Sequence, residues 1–213
     1  MKFKTLLFDF DGTLVDSMPT FSRAMLKILN ENAITYDDDI IKVLTPLGYG
    51  GVAKFLIDNG VAEDAETLVE RMLGYAIYEY EHTITAKKNV VDTLKKLKAD
   101  GVSLNILTAS PHPILDGCLR RLEIFDLFDN VWSCDDFSTS KQDPEIYLRA
   151  AEKLGVGVDS VLFLDDNYIA NKTAKSAGMK SCGVYDSSSD AYIEDIKSVA
   201  DFYIYDFSEL LKL

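Results

Sequence analysis

Asp9 and Asp11, separated by one residue, stand directly after the apolar run Thr5-Leu6-Leu7-Phe8. Other polar groups recur in the same kind of place. Thr108 and Ser110 follow Ile106-Leu107, and Lys141 follows the Val131-Trp132-Ser133 region after a short loop. Asp165 and Asp166 follow Val161-Leu162-Phe163-Leu164. If each apolar run is a strand of one parallel sheet, all these residues lie at its carboxyl edge, where open α/β sheets bind ligands. Clustered carboxylates repel one another unless a cation sits among them. Oxygen donors without His or Cys favour Mg²⁺ over Zn²⁺, and Mg²⁺ shares its coordination between a few carboxylates, water and phosphate. Lys141 and Thr108 suit phosphoryl oxygens, one as a point charge and the other as a hydroxyl donor. A carboxylate can itself attack phosphorus and form an aspartyl-phosphate. A single Asp after a strand is often no more than a helix cap. Four distant segments converging in this way are not explained by capping.

The elements that must position these residues follow one rhythm. The spacing of Val90, Val91, Leu94 and Leu97 predicts a helix over Asn89–Asp100, stopped by Gly101 and followed by the strand Val102–Leu107. Pro144–Leu154 is a second helix, stopped by Gly155 before the strand at Val161–Leu164. Ala170–Ala177 is a third, stopped by Gly178 before the strand Met179–Tyr185. Glycine after a helix takes the left-handed closing conformation without a Cβ penalty. Helix, glycine, apolar strand, repeated, predicts a parallel sheet covered by helices. The first strand spans Lys4–Phe10. Residues 16–85 break the rhythm: helices are expected from Ser17 as a cap, over Asp39–Leu44, Val52–Asn59 and Ala65–His82, with no strand among them. Asp37-Asp38-Asp39 reads as a solvated helix start.

The motifs Asp9-Phe10-Asp11-Gly12-Thr13, Leu107-Thr108-Ala109-Ser110, Lys141-Gln142-Asp143-Pro144-Glu145-Ile146-Tyr147 and Phe163-Leu164-Asp165-Asp166-Asn167, with Ala177-Gly178-Met179 downstream, occur in this order. Together they make the chain resemble haloacid dehalogenase superfamily phosphatases with a helical cap after the first strand. The resemblance implies a three-layer, Rossmann-like α/β core with a parallel sheet, built from residues 1–15 and 86–213, and an inserted all-helical cap over 16–85. It implies that Asp9 attacks phosphorus and that Asp11 protonates the leaving oxygen and then activates water. It assigns Mg²⁺ to Asp9, the backbone carbonyl of Asp11, Asp165 and Asp166. It assigns the phosphate to Gly12, Thr108, Ala109, Ser110 and Lys141. The expected substrate is a small phosphorylated metabolite. Two positions depart from the family pattern: Gln142 stands where Pro is common, and Ala170 where a polar residue is common.

Bulk properties narrow the field. The 213 residues hold 22 Lys plus Arg against 35 Asp plus Glu, a net charge of −13 that repels nucleic acid and anionic lipid. Cys118, Cys134 and Cys182 form no paired motif, and no apolar run resembles a signal peptide or membrane span. A cytoplasmic monomer is expected, with no nucleic-acid or membrane partner. A phosphomutase of the β-phosphoglucomutase type shares the aspartate pair, but looks to a His where this chain has Phe21. A dehalogenase lacks the second aspartate. A receiver-like signalling module carries its acidic pair after the first strand, not late as Asp165-Asp166 do. A non-catalytic phosphate-binding protein has no need of Asp9, Asp11, Thr108, Lys141 and Asp166 together. Gly48-Tyr49-Gly50-Gly51 is expected to be a substrate-selecting loop of the cap or a plain turn. His112, four residues after Thr108, is a candidate for contact with the leaving group, against an ordinary surface role.

Overall fold

Thr5–Phe8 forms strand β1, four side chains buried without exception. The computed structural model describes residues 2–37, 39–44 and 47–213. Asp38, and with it the middle of the expected acidic helix start, lies outside the described residues. The chain forms two compact units, one of Met1–Asp16 with Ile84–Leu213 and the other of Ser17–Thr83.

The second unit contains helices α1 (Pro19–Glu31), α2 (Ile40–Leu44), α3 (Gly48–Asp58) and α4 (Ala65–His82). Its core joins Met25, Ile28 and Leu29 of α1 to Leu44, Val52, Leu56, Leu68 and Met72. Asp64 caps α4 by accepting from the Thr67 backbone N at 2.9 Å. Glu79 of α4 accepts from Thr20 Oγ1 at 3.1 Å and pairs with Arg23, tying α4 to α1. Two expectations are corrected. Helix α1 starts at Pro19 behind Met18, with no side-chain cap, and Ser17 enters the turn through its carbonyl, which accepts from Thr20 N at 2.8 Å. Proline suits that position, since its fixed φ is helical and its missing N–H would have been unpaired. Gly48-Tyr49-Gly50-Gly51 is the first turn of α3, not a loop. Glycine is a poor helix former. Burial of Val52, Ala53 and Leu56 on one face outweighs that weakness, because tertiary packing supplies most helical stability in proteins.

The first unit continues through α5 (Val90–Ala99), β2 (Ser103–Thr108), α6 (His112–Arg121), β3 (Asn130–Ser133), α7 (Pro144–Leu154), β4 (Val161–Asp165), α8 (Tyr168–Ser176), β5 (Lys180–Val184), α9 (Ile193–Val199) and β6 (Phe202–Ile204). The six strands are parallel, in the order β3-β2-β1-β4-β5-β6. Alternation along β1 sends successive side chains to opposite faces. Leu7 joins Leu107, Phe163, Ile146, Tyr147, Ala150 and Ala174 beneath α7 and α8. Phe8 stacks on Phe207 at 5.9 Å and meets Phe128 edge-on. Phe207 belongs to the C-terminal turn, which packs with α5 on that second face. The chain is thus an α/β protein with helices on both faces of a parallel sheet. Gly155 closes α7 in the left-handed conformation at φ 69°, as expected.

Phe8 is in register with Ile106 on one side and Leu164 on the other, and the Asp9 backbone N continues the ladder to Leu164 O at 2.8 Å. Asp9, Thr108 and Asp165 therefore leave the sheet at one edge. The strand order reverses at β1, between the arm running to β3 and the arm running to β6. This is the crevice where α/β sheets place ligands.

Candidate active site

Asp9, Asp165 and Asp166 are all buried, and one carboxylate oxygen of each lies within 4.8 Å of the others. Lys141 reaches them from the segment after β3, across a short 3-10 turn at Cys134–Phe137. Its Nζ donates to Asp9 and, at 2.8 Å, to Asp165 Oδ2. Asp165 Oδ1 accepts from Asn167 N at 2.7 Å, and Asn167 caps α8 through Ile169 N and Ala170 N. That cap starts α8 at Tyr168, two residues before the expected Ala170, and so places the helix directly behind the acidic pair.

Three buried carboxylates face one ammonium, and their protonation shows the imbalance. Burial pushes the Asp9 carboxyl well above the usual carboxylate range; Lys141 opposes this, while Asp165, Asp166 and Asp11 add to it. Burial, then the charges of Asp165 and Asp186, push Asp166 up to about 7. Burial works against the Lys141 ammonium, but Asp165 and Asp9 more than offset it and hold it above its ordinary value. A cluster of hard oxygen donors that binds protons for want of positive charge fits a small divalent cation. Asp9, Asp165 and Asp166 are the side chains that would hold it.

Asp11 points elsewhere. Its carboxylate accepts from Ser110 Oγ, and Ser110 N in turn donates to Thr108 Oγ1 at 3.1 Å. The end of β2 thus presents a buried Thr108, an exposed Ala109 and a Ser110 that aims Asp11. The structure therefore gathers Asp9, Lys141, Asp165 and Asp166 in one group, and Asp11, Ser110 and Thr108 in a second. His112 opens α6 and is held between Asp116 at 3.0 Å and Asp136 at 2.9 Å, hydrogen bonds that raise its pKa.

Sequence reasoning missed several supports of the cluster. Thr13 Oγ1 donates to Asp166 Oδ1 and accepts from Asp166 N, both at 3.2 Å. Ser189 Oγ donates to Asp166 Oδ2 at 3.3 Å. Asn171 Nδ2 holds the Asp165 carbonyl at 2.8 Å and the Asn167 carbonyl at 3.0 Å. It braces the acidic loop from the position next to Ala170. Tyr147 Oη donates to Lys141 O at 3.0 Å. Thr13, inside the first motif, and Tyr147, at the end of the third, had a positional signal. The others meet the cluster through tertiary contacts that no spacing announces.

Gly12 has φ +75°, and a Cβ there would lie 2.7 Å from Asp166 Oδ2 and 2.8 Å from Oδ1. Gly60 has φ +93° with open space around its Cβ position. Gly60→Ala is therefore expected to show backbone strain alone, and Gly12→Ala strain plus displacement of Asp166. Urea denaturation should give a loss of about 1 kcal/mol for Gly60→Ala and about 3 kcal/mol for Gly12→Ala. Equal losses would mean that Asp166 yields at no cost.

The family of haloacid dehalogenase-like hydrolases matches residues 6–184. A phosphoglycolate phosphatase of Colwellia psychrerythraea is 29% identical, over 98% of this chain and 95% of that protein. Validoxylamine A 7'-phosphate phosphatase of Streptomyces hygroscopicus subsp. limoneus is 27% identical over 85% of each. Among solved structures, a candidate β-phosphoglucomutase of Thermotoga maritima shares the fold, with a TM-score of 0.85 at 24% identity over 98% of this chain and 97% of that one. The matched span takes in Asp9, Asp11, Thr108, Lys141, Asp165 and Asp166, and the chain belongs to the haloacid dehalogenase-like hydrolase family.

Proposed function

We propose that this protein is a Mg²⁺-dependent phosphatase that hydrolyses a small phosphorylated metabolite through an aspartyl-phosphate on Asp9. The observation that supports this most is the buried Asp9 carboxylate, held by Lys141 beside two further carboxylates. Mg²⁺, when bound by Asp9, Asp165, Asp166 and the Asp11 carbonyl, supplies the positive charge that lets a phosphate dianion approach. Lys141 and Thr108, with the backbone at Gly12 and Ala109, hold the phosphoryl oxygens, beside Ser110, whose single hydroxyl proton goes to Asp11. Asp9 attacks phosphorus as the bond to the leaving oxygen breaks, and Asp11 gives that oxygen its proton. Asp11 then takes a proton from water, which attacks the phosphoryl group and frees Asp9. The hydrogen bond from Ser110 keeps the Asp11 carboxylate oriented between these two steps. We also propose that the protein acts in the cytoplasm as a monomer; among the described residues no helix is long and apolar enough to cross a membrane.

The test is release of inorganic phosphate from a panel of phosphorylated metabolites, with Mg²⁺ and with excess chelator. Activity on at least one member, lost on chelation, is the expected result. Full activity in chelator would remove the cation from the mechanism, and no release from any member would remove the function.

With its folded-state pKa raised to about 7 from 3.8, Asp166 retains a proton that the unfolded chain has already lost. Its contribution to stability is present below the unfolded pKa and is lost as pH rises across that interval. A cation expels the proton and relieves the crowding. The Mg²⁺-induced rise in melting temperature should therefore be larger at pH 8 than at pH 5. The same rise at both values would show that no proton is displaced.

A further inference from the structure

Lys87 follows the short segment Ile84–Ala86, whose Thr85 carbonyl accepts from Asp16 N at 3.0 Å and whose Ala86 bridges Val15. It grips the catalytic loop twice. Its backbone N donates to Leu14 O at 3.0 Å, and its Nζ donates to Gly12 O at 2.6 Å. The same Nζ also donates to Tyr185 O and to Asp186 Oδ2, the latter at 3.0 Å. An ammonium has three donors, and three oxygens meet them here. The pair is shielded, with side chains 18% and 4% exposed for Lys87 and Asp186.

The two ends of this bridge lead to the same carboxylate. On one side, the Gly12 carbonyl belongs to the peptide that joins Gly12 to Thr13, and Thr13 exchanges two hydrogen bonds with Asp166. On the other side, Asp186 caps the turn Ser187–Tyr192, and Ser189 in that turn donates to Asp166 Oδ2. Gly12 itself packs so closely against Asp166 that no side chain fits between them. We propose that Lys87 is a positioning residue for the cation site: it locks the Gly12–Thr13 peptide to the Asp186 turn and so holds Asp166 from both sides. This rests on the reading of the acidic cluster as a cation site. Lys87 touches neither the reacting atoms nor the cluster, and acts through Gly12, Thr13 and Ser189.

A bland role is also open to such a lysine, that of neutralising a buried Asp186. Two variants separate the roles. Lys87→Met/Asp186→Asn removes both charges, leaves no stranded carboxylate, and keeps a side chain able to cap the turn. Lys87→Arg keeps the charge opposite Asp186 but replaces a compact ammonium with a planar fork. For wild type and both variants, two quantities are measured: the Mg²⁺ concentration giving half the maximal rise in melting temperature, and that giving half-maximal hydrolysis of p-nitrophenyl phosphate. Both variants should require about 10-fold more Mg²⁺ by each measure, the usual cost of losing a group that orients a metal ligand. Their KM for the aryl phosphate at saturating Mg²⁺ should stay within about threefold of wild type, since the side chains that hold the phosphoryl group, Lys141 and Thr108, are untouched. If the double variant folds and its Mg²⁺ requirement matches wild type, Lys87 only neutralises Asp186 and the proposal is wrong. If the double variant does not melt cooperatively, the Arg variant decides on the same criterion. If wild type itself shows no Mg²⁺-induced rise in melting temperature, the cation-site reading fails first and takes the Lys87 assignment with it.

Discussion

Asp9→Asn is expected to fold and to release no measurable phosphate from any substrate that wild type hydrolyses. An amide fills the same volume as the carboxylate but is not a nucleophile towards phosphorus. Single removals of a nucleophile in enzymes that form covalent intermediates cost on the order of 10⁴–10⁶-fold in turnover. The substitution also deletes one charge from a buried cluster that already binds protons, with burial raising Asp9 well above the usual carboxylate range. In chelator, melting temperature at neutral pH should therefore hold or rise, so that lost activity is not mistaken for lost fold. The Mg²⁺-induced rise should shrink, because one of three clustered carboxylates is gone. Asp11→Asn gives a useful contrast. Its side chain lies outside that cluster and bonds Ser110. Loss of general acid–base help costs about 10²–10⁴-fold, with phosphorylated enzyme accumulating. Asp9→Asn turnover above a few per cent of wild type would move the nucleophile to another residue.

The sequence signals that served best were those tied to backbone geometry. Gly101, Gly155 and Gly178 mark helix ends because the left-handed conformations they adopt, at φ 74°, 69° and 91°, are costly for other residues. The apolar runs ending in Asp9, Thr108 and Asp165 place those residues at one sheet edge because parallel strands share a direction. What stayed hidden depends on contacts between distant segments. Strand β6 is three residues long, too short for alternation to show, and exists because Cys182, Gly183 and Val184 of β5 offer it a register. Helix α6 begins His112-Pro113 and owes its place to Leu115, Cys118 and Leu119, which are buried on one face. Nothing in Ala86-Lys87-Lys88-Asn89 separates the half-buried Lys87 from the exposed Lys88 beside it. The partner that distinguishes them, Asp186, is 99 residues away in sequence. The Gly48–Gly51 misreading has the opposite cause: local propensity was legible and pointed to a loop, but packing overrode it.

Lys141→Ala is expected to lose most of its function, though less than removal of the nucleophile, for an electrostatic reason. The ammonium lies between Asp9 and Asp165, the latter at 2.8 Å, and is largely buried. Without it, the carboxylates and an incoming phosphate dianion would face a single divalent cation, with no second ammonium paired to the cluster among the described residues. A donor aimed at developing charge is worth about 10²–10³-fold in turnover, and ground-state phosphate binding is lost in addition. The two losses can be told apart by using inorganic phosphate as a competitive inhibitor, whose inhibition constant should rise by at least about tenfold for a lost contact to a charged group. Stability should respond to pH in a definite direction. Removing one partner of a buried pair costs about 3–5 kcal/mol where the other must stay ionised. At pH 5 a proton can take the place of the ammonium, because Asp9 and Asp166 already have raised pKa values. The destabilisation in chelator should accordingly be larger at pH 8 than at pH 5. Lys141→Arg should recover much of the stability but only part of the activity, because a planar fork cannot sit as a point charge between the two carboxylates and the phosphate. Equal inhibition of wild type and Lys141→Ala by inorganic phosphate would show that Lys141 organises the carboxylates alone, and that the phosphoryl group is held by the end of β2.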